Sequence, residues 1–219
     1  MKKLTLSFDN GPCAEVTPQV LDLLAERGLP ASFFVCGKNL LDPALWALTQ
    51  RAWQDGHRIG NHTFSHTIQF GRDDDPQAPM REIGRTQELL GELAGQERLF
   101  RPYGGGGTIG PQLFNRAALD YLCAGRYTCV LWNSVPRDWD DITGWPERAL
   151  QVIASQDWTL VVLHDLPTGA MSQLPRFLDQ VEREGIDIVA EFPDDCVPIR
   201  RGEPVGPMDQ LVTLRPVQT

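Results

Sequence analysis

The sequence predicts an α/β fold in which repeated strand–helix units surround a parallel sheet. Short apolar runs rich in β-forming residues alternate with helical patterns of about a dozen residues, as in successive βα units. With 219 residues, 42% of them hydrophobic and 22% charged, the chain is large enough for one domain with a substantial core. No stretch has the composition of a linker between domains, so we expect a single domain over residues 1–219.

Seven strands and six helices are predicted. The strands are Leu4–Ser7, Ser32–Val35, Arg58–Gly60, Leu99–Arg101, Thr128–Leu131, Leu160–Leu163 and Ile186–Val189. The helices are Thr17–Arg27, Pro43–Gln54, Met80–Ala94, Pro111–Leu122, Pro146–Ala154 and Ser172–Arg183. Residues 71–79 are acidic and contain proline, which predicts a solvated loop. Residues 193–219 contain several Pro and Gly without a clear period and are expected to wrap the surface.

Charge and composition exclude several classes of partner. A net charge of -9 at pH 7 repels phosphate backbones and anionic membranes, so neither nucleic acid nor membrane is expected as a partner. The apolar stretch before Asp9 is too short for a signal peptide or a membrane span, which predicts a cytoplasmic location. Five cysteines without a CxxC pair argue against a disulfide framework. No organic cofactor is indicated, and the sequence makes no prediction of the oligomeric state.

The first group of polar residues follows the first predicted strand. In a closed parallel sheet, the carboxyl ends of the strands share the face on which barrel active sites are built. Asp9 and Asn10 lie at such an end, before a sharp exit at Gly11-Pro12. A simple Asx turn that ends the strand is the alternative interpretation.

His62 and His66 follow the third predicted strand. Their spacing of four can bring two imidazoles to one side of a helical turn. Two histidines with a carboxylate leave an open position, which is typical of a hydrolytic zinc site. A solvated pair is the alternative, but three of the four histidines of the chain fall at predicted strand ends, which favours a site.

Three further strand ends carry polar residues. Arg101 precedes a Gly-rich turn whose N–H groups can face an oxyanion, although the turn lacks the Lys and the spacing of a phosphate-binding loop and a flexible loop is the alternative. Asp138 and Trp139 follow the fifth strand, and Leu163 and His164 end the sixth. By itself the Asp–Trp pair carries little information, and a lone His is more often a satisfied edge residue.

In their order along the chain, these segments resemble the five motifs of the polysaccharide deacetylase family, the NodB-homology domain of carbohydrate esterase family 4. The segments are SFDNGP at 7–12, HTFSH at 62–66, RPYG at 101–104, DW at 138–139 and LH at 163–164. The resemblance spans residues 4 to about 190. It implies a distorted (β/α)7 barrel and hydrolysis of N-acetyl or related amide groups.

The resemblance also implies catalytic roles. Asp9 would be the general base that takes a proton from water, with Arg101 holding it ionised because a neighbouring cation lowers a carboxyl pKa. His164 would be the general acid that protonates the leaving amine, and Asp138 would raise its pKa and fix its tautomer.

Substrate contacts and metal ligands follow from the same resemblance. Trp139 and Leu163 would wall a small acyl pocket, and the backbone N–H of Tyr103 would bind the developing oxyanion together with a metal. The ligands of that zinc-like divalent metal would be His62, His66 and the residue at position 10.

At position 10 the chain departs from its family, which has a metal-binding Asp where this sequence has Asn10. The amide keeps an oxygen donor but removes a negative charge, so the affinity for a divalent metal should fall. Two alternatives remain open. Asn10, His62 and His66 bind a metal weakly, or the site works without metal and the histidines bind water or substrate.

Three functions are compatible with these alternatives. The first expectation is a deacetylase-like amidohydrolase acting on a soluble saccharide, a lipid-linked sugar precursor or a small amide. The second is a metal-independent hydrolase of cyclic ureides or imides, similar to metal-independent allantoinases. The third is a pseudoenzyme that only binds carbohydrate. Against the third stands the presence of all four residues of the acid–base set, Asp9, Arg101, Asp138 and His164.

Overall fold

A computed structural model describes residues 1–213, and strands and helices alternate along most of the chain. The strands are β1 (Lys3–Asp9), β2 (Ser32–Val35), β3 (Arg58–Asn61), β4 (Leu99–Phe100), β5 (Thr128–Cys129), β6 (Trp158–His164), β7 (Asp187–Ile188), β8 (Ile199–Arg200) and β9 (Glu203–Pro204). The α-helices are α1 (Thr17–Arg27), α2 (Pro43–Gln54), α3 (Arg85–Leu90), α4 (Arg116–Ala124), α5 (Trp145–Ser155) and α6 (Leu174–Arg183). Each of the seven predicted strands therefore overlaps an observed strand.

The chain folds into two compact units. Unit one consists of Met1–Val35, Asn39–Ile59 and Trp132–Pro193. Unit two consists of Cys36–Lys38, Gly60–Leu131 and the described part of Asp194–Thr219. Strand β3 therefore contributes its first two residues to unit one and its last two to unit two.

Strand β1 is the centre of unit one. It pairs in parallel with β2, β6 and β7. All residues of β1 after Lys3 are buried, as expected for a parallel strand covered on both faces. The register with β6 runs from Lys3 opposite Trp158 to Asp9 opposite His164, so the two strands end side by side. The last residues of both strands are polar and belong to the predicted site.

The sheet of unit two is shorter and mixed. Strand β4 pairs in parallel with β3 and β5, and β8 pairs antiparallel with both β5 and β9. Strands β8 and β9 belong to the tail that the sequence predicts to wrap the surface. Val197 and Ile199 are instead buried, because Ile199 pairs with Cys129 at the edge of the sheet. The last part of that prediction, residues 214–219, lies outside the described residues.

Two predicted helices differ from the observed ones. Helix α4 begins at Arg116 instead of residue 111, because the Asn115 side chain accepts a hydrogen bond from the Ala118 N–H (2.8 Å) and caps the helix there. The helix predicted over 80–94 is helical throughout but changes type: a π-helix at Met80–Gly84, then α3, then a 3-10 turn at Gly91–Ala94. Gly91, with a φ of 52°, marks the end of α3.

Two other sequence expectations concern the chain as a whole. The five cysteines, which all lie within residues 1–213, are free thiols, in agreement with the predicted lack of a disulfide framework. Among these residues, no helix combines the length and the apolar character needed to cross a membrane.

Candidate functional site

The turn after β1 presents Asp9 and Asn10. Asp9 is the last residue of β1 and is buried, with 4% of its surface exposed. Asn10 has a φ of 73°, a left-handed conformation that Asn tolerates better than most residues. The Asn39 side-chain amide donates hydrogen bonds to the carbonyls of Asn10 (2.9 Å) and Gly11 (3.1 Å) and so holds the turn.

The side-chain oxygen of Asn10 is unusual. It is buried, and it accepts no hydrogen bond from any group in residues 1–213. An Asx turn at Asn10 would need this oxygen to accept a backbone N–H, so the turn geometry does not explain the residue. An unsatisfied buried oxygen normally costs about 1–3 kcal/mol, and a ligand would remove that cost.

Asp138 holds His164 by two contacts. One carboxylate oxygen lies 2.8 Å from His164 Nδ1, and the other accepts a hydrogen bond from the His164 backbone N–H at 2.9 Å. The Asp138 side chain is fully buried, whereas 12% of the His164 side chain is exposed. Because Nδ1 faces the carboxylate, Nε2 is the ring nitrogen left for exchange of a proton with a substrate.

The pKa of His164 is raised above its ordinary value. Burial alone lowers the pKa of the imidazole, but the hydrogen bond and charge of Asp138 raise it and outweigh burial. The charges of Asp9 and Asp165 act in the same direction. The imidazolium form therefore persists to higher pH, which suits a general acid.

The two predicted acyl-pocket residues take different positions. The Trp139 ring packs edge-on against His164, with ring centroids 4.9 Å apart. Leu163 is fully buried in β6, where its register partner is Phe8. Trp139 thus restricts the approach to the imidazole, and the role of Leu163 as a pocket wall stays a prediction.

Asp165 is a buried group of unit one that the sequence does not single out. It is fully buried, and its Oδ2 accepts a hydrogen bond from the Thr17 hydroxyl. A Cβ at Gly11 would lie 2.3 Å from its Oδ1, so the carboxyl packs directly against the turn after β1. Burial is the main cause that raises the pKa of Asp165 to about 7. An Asp after a strand-ending His gives no local signal of this burial.

In unit two, the imidazoles of His62 and His66 lie together, with ring centroids 4.7 Å apart. The predicted proximity is therefore observed, but the predicted helical turn is wrong. Residues 62–66 form a loop in which Thr63 and His66 have φ values of 64° and 57°. Left-handed residues interrupt a right-handed helical turn.

Side chains outside the motif brace this loop. Glu82 Oε2 accepts hydrogen bonds from the N–H groups of Phe64 (3.0 Å) and Ser65 (2.8 Å). Asn61 Oδ1 accepts from the Thr63 N–H (3.0 Å), and its amide nitrogen donates to the Ile83 carbonyl (2.8 Å). Both Asn61 and Glu82 are buried, and neither stands out in the sequence.

Arg101 and Tyr103 complete the motif residues of unit two. The Arg101 guanidinium is fully buried and donates to the carbonyls of Val130 and Leu131, both at 3.1 Å. The Arg101 carbonyl lies 2.9 Å from His62 Nδ1 and so orients the imidazole. The Tyr103 ring packs on His66 with a centroid distance of 4.4 Å.

Each unit thus brings together part of the predicted set. Unit one contains Asp9 beside His164, with Asp138 and Trp139 contacting the imidazole. Unit two contains His62, His66 and Tyr103 in mutual ring contact. In the described part of the chain, no group of three His, Cys, Asp or Glu residues is placed to hold a metal. The remaining predicted ligand, Asn10, carries an amide and belongs to unit one.

Comparison with known proteins identifies a consistent set of relatives. The family model described as polysaccharide deacetylase matches residues 1–121. A peptidoglycan-N-acetylglucosamine deacetylase of Bacillus cereus is 28% identical over 192 residues, which are 85% of this chain and 66% of that protein. A chitooligosaccharide deacetylase of Rhizobium leguminosarum is 32% identical over 177 residues, covering 78% of this chain and 71% of that protein. The chain spans only 38% of a Listeria monocytogenes peptidoglycan-N-acetylglucosamine deacetylase.

Solved structures agree with these relatives. A peptidoglycan N-acetylglucosamine deacetylase bound to a substituted benzamide has a TM-score of 0.71 and 25% identity, with 85% of each chain covered. A Streptococcus mutans carbohydrate esterase has a TM-score of 0.72 at 24% identity, with 86% of this chain and 85% of that chain covered. These likenesses confirm the predicted fold class, the distorted (β/α)7 barrel of the NodB-homology type.

Proposed function

Because the chain belongs to the polysaccharide deacetylase family, we propose that it is a hydrolase that removes N-acetyl groups from the amino sugars of a saccharide. The observation that carries the proposal is the pairing of a predicted base with a predicted acid at two adjacent strand ends. Asp9 is the register partner of His164, and His164 is bonded to the buried Asp138. An acid and a base side by side suit amide hydrolysis, whereas a protein that only binds sugar has no use for them.

In the first step, Asp9 accepts a proton from a water molecule as the water oxygen attacks the carbonyl carbon of the acetamide. A new C–O bond forms, and the carbonyl oxygen takes up negative charge. We assign the binding of this oxyanion to the Tyr103 backbone N–H, as the family motif implies. Each such donor typically contributes about 3–4 kcal/mol to the stability of the transition state.

In the second step, His164 donates the proton on Nε2 to the amide nitrogen. The C–N bond then breaks, releasing acetate and the free amine of the sugar. Asp138 supports this transfer because its carboxylate orients the ring and stabilises the imidazolium before the proton leaves. Arg101, which is buried, is assigned the role of keeping Asp9 ionised.

The family resemblance assigns Asn10, His62 and His66 as the residues that would hold a divalent metal. Two features of the chain fit that role: the Asn10 side-chain oxygen is buried without a partner among the described residues, and His62 has its Nδ1 held by a carbonyl. A divalent ion bound there would polarise the acetamide carbonyl and the attacking water. Since Asn10 is uncharged, we expect weak binding, with metal lost readily to a chelator.

A substrate panel with and without chelator tests the proposal. Purified protein is incubated with an N-acetylated chito-oligosaccharide and with a cyclic ureide or imide, and its metal content is measured in parallel. Acetate release from the oligosaccharide supports the proposal. Loss of that release on chelation would show that the activity requires a divalent metal. Chelator-insensitive opening of the cyclic amide would replace the proposal with the metal-independent ring hydrolase. Sugar binding without turnover of either substrate would indicate a pseudoenzyme.

A further inference from the structure

Unit two contains a polar cleft that includes Tyr103 and whose other lining residues have no role in the proposed reaction. Its volume is about 380 Å³, and it is lined by Gln69, Arg72, Tyr103, Gly105, Thr108 and Gln112. Pockets for small ligands typically measure about 300–1,000 Å³. The cleft is therefore large enough for a ligand group, and it begins at a residue that the family motif assigns to the substrate.

Hydrogen bonds fix the walls of the cleft. The Gln69 amide donates to the Gly104 carbonyl (3.2 Å), and the Gln112 amide donates to the Thr108 carbonyl (2.7 Å). Gly105 has a φ of 58°, and a Cβ there would lie 2.3 Å from the Gln69 amide nitrogen. The left-handed backbone at Gly105 favours glycine, and the lack of a Cβ lets the Gln69 amide approach it closely.

Arg72 is the one charged residue among those that line the cleft. It is exposed, and its side chain makes no ion pair or hydrogen bond with any part of residues 1–213. Two arginines near it in the same unit are paired: Arg81 contacts Asp75 at 2.7 Å, and Arg116 contacts Asp120 at 2.8 Å. In a chain with a net charge of -9, this cleft presents an unpaired positive charge.

The aspartates of the acidic loop that follows Arg72 form no ion pair with it among the described residues. Asp73 Oδ1 accepts a hydrogen bond from the Asp75 N–H at 2.9 Å, and Asp75 is paired with Arg81. None of the three aspartates at 73–75 lines the cleft. The guanidinium is therefore available to a ligand.

We propose that this cleft binds an oxyanion carried by the saccharide substrate, a carboxylate or a phosphate ester, through the guanidinium of Arg72. A guanidinium donates two parallel hydrogen bonds to either group, and the amide and hydroxyl groups of the cleft suit sugar hydroxyls. The inference rests on the proposed deacetylase function and deepens it. It selects acidic saccharides as the substrate class, with Arg72 as the residue that determines specificity.

Steady-state kinetics test the inference with three oligosaccharides of equal length, all N-acetylated. One is neutral, one carries a carboxylate and one carries a phosphate ester. Arg72→Gln should raise KM about tenfold for one or both anionic substrates, with kcat and the KM for the neutral substrate unchanged. A tenfold change corresponds to about 1.4 kcal/mol, close to the lower end of the range of about 1.5–3 kcal/mol for a hydrogen bond to a charged group. The anionic substrate that responds identifies the group recognised.

The matched control is Arg126→Gln. Arg126 is also an exposed arginine of unit two, it lies outside the cleft, and it has no side-chain partner in the described chain. Both variants change the net charge of the protein equally, so only a local contact gives different KM values. Equal KM values for Arg72→Gln and wild type on both anionic substrates would overturn the inference, while acetate release from the neutral substrate would leave the deacetylase function standing.

If no substrate is hydrolysed, a binding measurement tests anion binding in the cleft separately from deacetylase activity. Calorimetry with oligosaccharides that lack N-acetyl groups, with and without the carboxylate or phosphate, needs no turnover. Tighter binding of an anionic oligosaccharide by wild type and by Arg126→Gln, but not by Arg72→Gln, would support the cleft even without deacetylase activity. Equal binding of the neutral and anionic oligosaccharides by wild type would reject it.

Discussion

Asp138 determines how His164 can act. The same carboxylate bonds to the ring nitrogen Nδ1 and to the backbone N–H of His164, so both the rotation of the imidazole and its tautomer are fixed. Trp139 packs edge-on against the ring and limits its movement further. The proton on Nε2 is thus placed before a substrate arrives, which lowers the reorganisation needed in the transition state.

The pH dependence of activity tests the role of Asp138. His164 must be protonated to act as an acid, so kcat/KM should fall as pH rises through its pKa, which is raised in the wild type. Asp138→Asn removes the charge that raises this pKa, so the alkaline limb should move to lower pH. Profiles of kcat/KM against pH for both proteins measure the shift. An unchanged limb would show that another group donates the proton.

Asn10→Asp tests the metal prediction. The change restores a carboxylate at position 10, and an anionic oxygen binds Zn²⁺ more tightly than an amide oxygen. We expect the dissociation constant for Zn²⁺ to fall at least tenfold, or by about 1.4 kcal/mol or more. Competition with a fluorescent chelator measures this directly. An unchanged affinity would exclude position 10 as a ligand.

The pH dependence of the free energy of unfolding tests whether the pKa of the buried Asp165 is raised in the folded protein. Its pKa is raised to about 7 from 3.8, mainly by burial, so the folded protein keeps this proton to a higher pH than the unfolded chain. Its contribution to stability is therefore complete below about pH 4 and is lost as pH rises through about 7. Asp165→Asn should remove this loss, which is at most about 4 kcal/mol.

Urea unfolding of wild type and Asp165→Asn from acid to alkaline pH measures the effect. The variant should gain in stability relative to wild type as pH rises, because the amide cannot ionise. The exposed Asp74, changed to Asn, serves as the control and should leave the wild-type dependence in place. Parallel curves for wild type and Asp165→Asn would show that Asp165 is already ionised in the folded protein.

At the scale of elements, the strands were the most predictable part of the chain. Strands β1 and β6 have seven residues each, are rich in β-forming residues and are buried on both faces, so their composition locates them and the polar residues at their ends. Asp9 and His164 could be selected for this reason. Strands β8 and β9 lie in a Pro- and Gly-containing tail without a continuous apolar run, so no local pattern marks them as strands.

The histidine loop shows why other features could not be predicted. A spacing of four residues suggests a helical turn, but the conformation of residues 62–66 depends on hydrogen bonds that Glu82 and Asn61 accept from the loop backbone. Glu82 lies 18 residues from Phe64 along the chain, so the local sequence carries no trace of the contact. Cleft residues such as Gln69 and Arg72 are hidden from sequence reasoning for the same reason.

Glu82→Ala tests this brace. The change removes the acceptor of two backbone N–H groups in a buried position, and we expect a loss of about 1–3 kcal/mol in stability. The imidazoles of His62 and His66 should also be less well ordered, which should weaken any metal binding about 10- to 100-fold. Denaturant unfolding and Zn²⁺ titration provide the measurements. Glu82→Gln keeps one acceptor oxygen, so it should lose much less folding stability and much less Zn²⁺ affinity than Glu82→Ala. Equal losses in the two variants would show that the charge of Glu82, not its hydrogen bonds, matters.

At the scale of the whole molecule, sequence and comparisons lead to the same fold class and family. The five motifs were sufficient because their order along the chain follows the order of the strands. The substrate was not predictable, since the shape of the loops that line the cleft beside Tyr103 cannot be derived from the motifs. The net charge of -9 gives a further expectation, that anionic saccharides bind only where a local positive charge such as Arg72 receives them.

The most direct test of the account is acetate release from an N-acetylated chito-oligosaccharide by wild type, Asp9→Asn and His164→Ala. We predict that wild type releases acetate and free amine in equal amounts. Each variant should lose activity by about 100- to 10,000-fold, the usual contribution of one acid or base, with urea unfolding showing a folded protein. No acetate from wild type, or full activity in either variant, would contradict the assignment of Asp9 and His164 as base and acid.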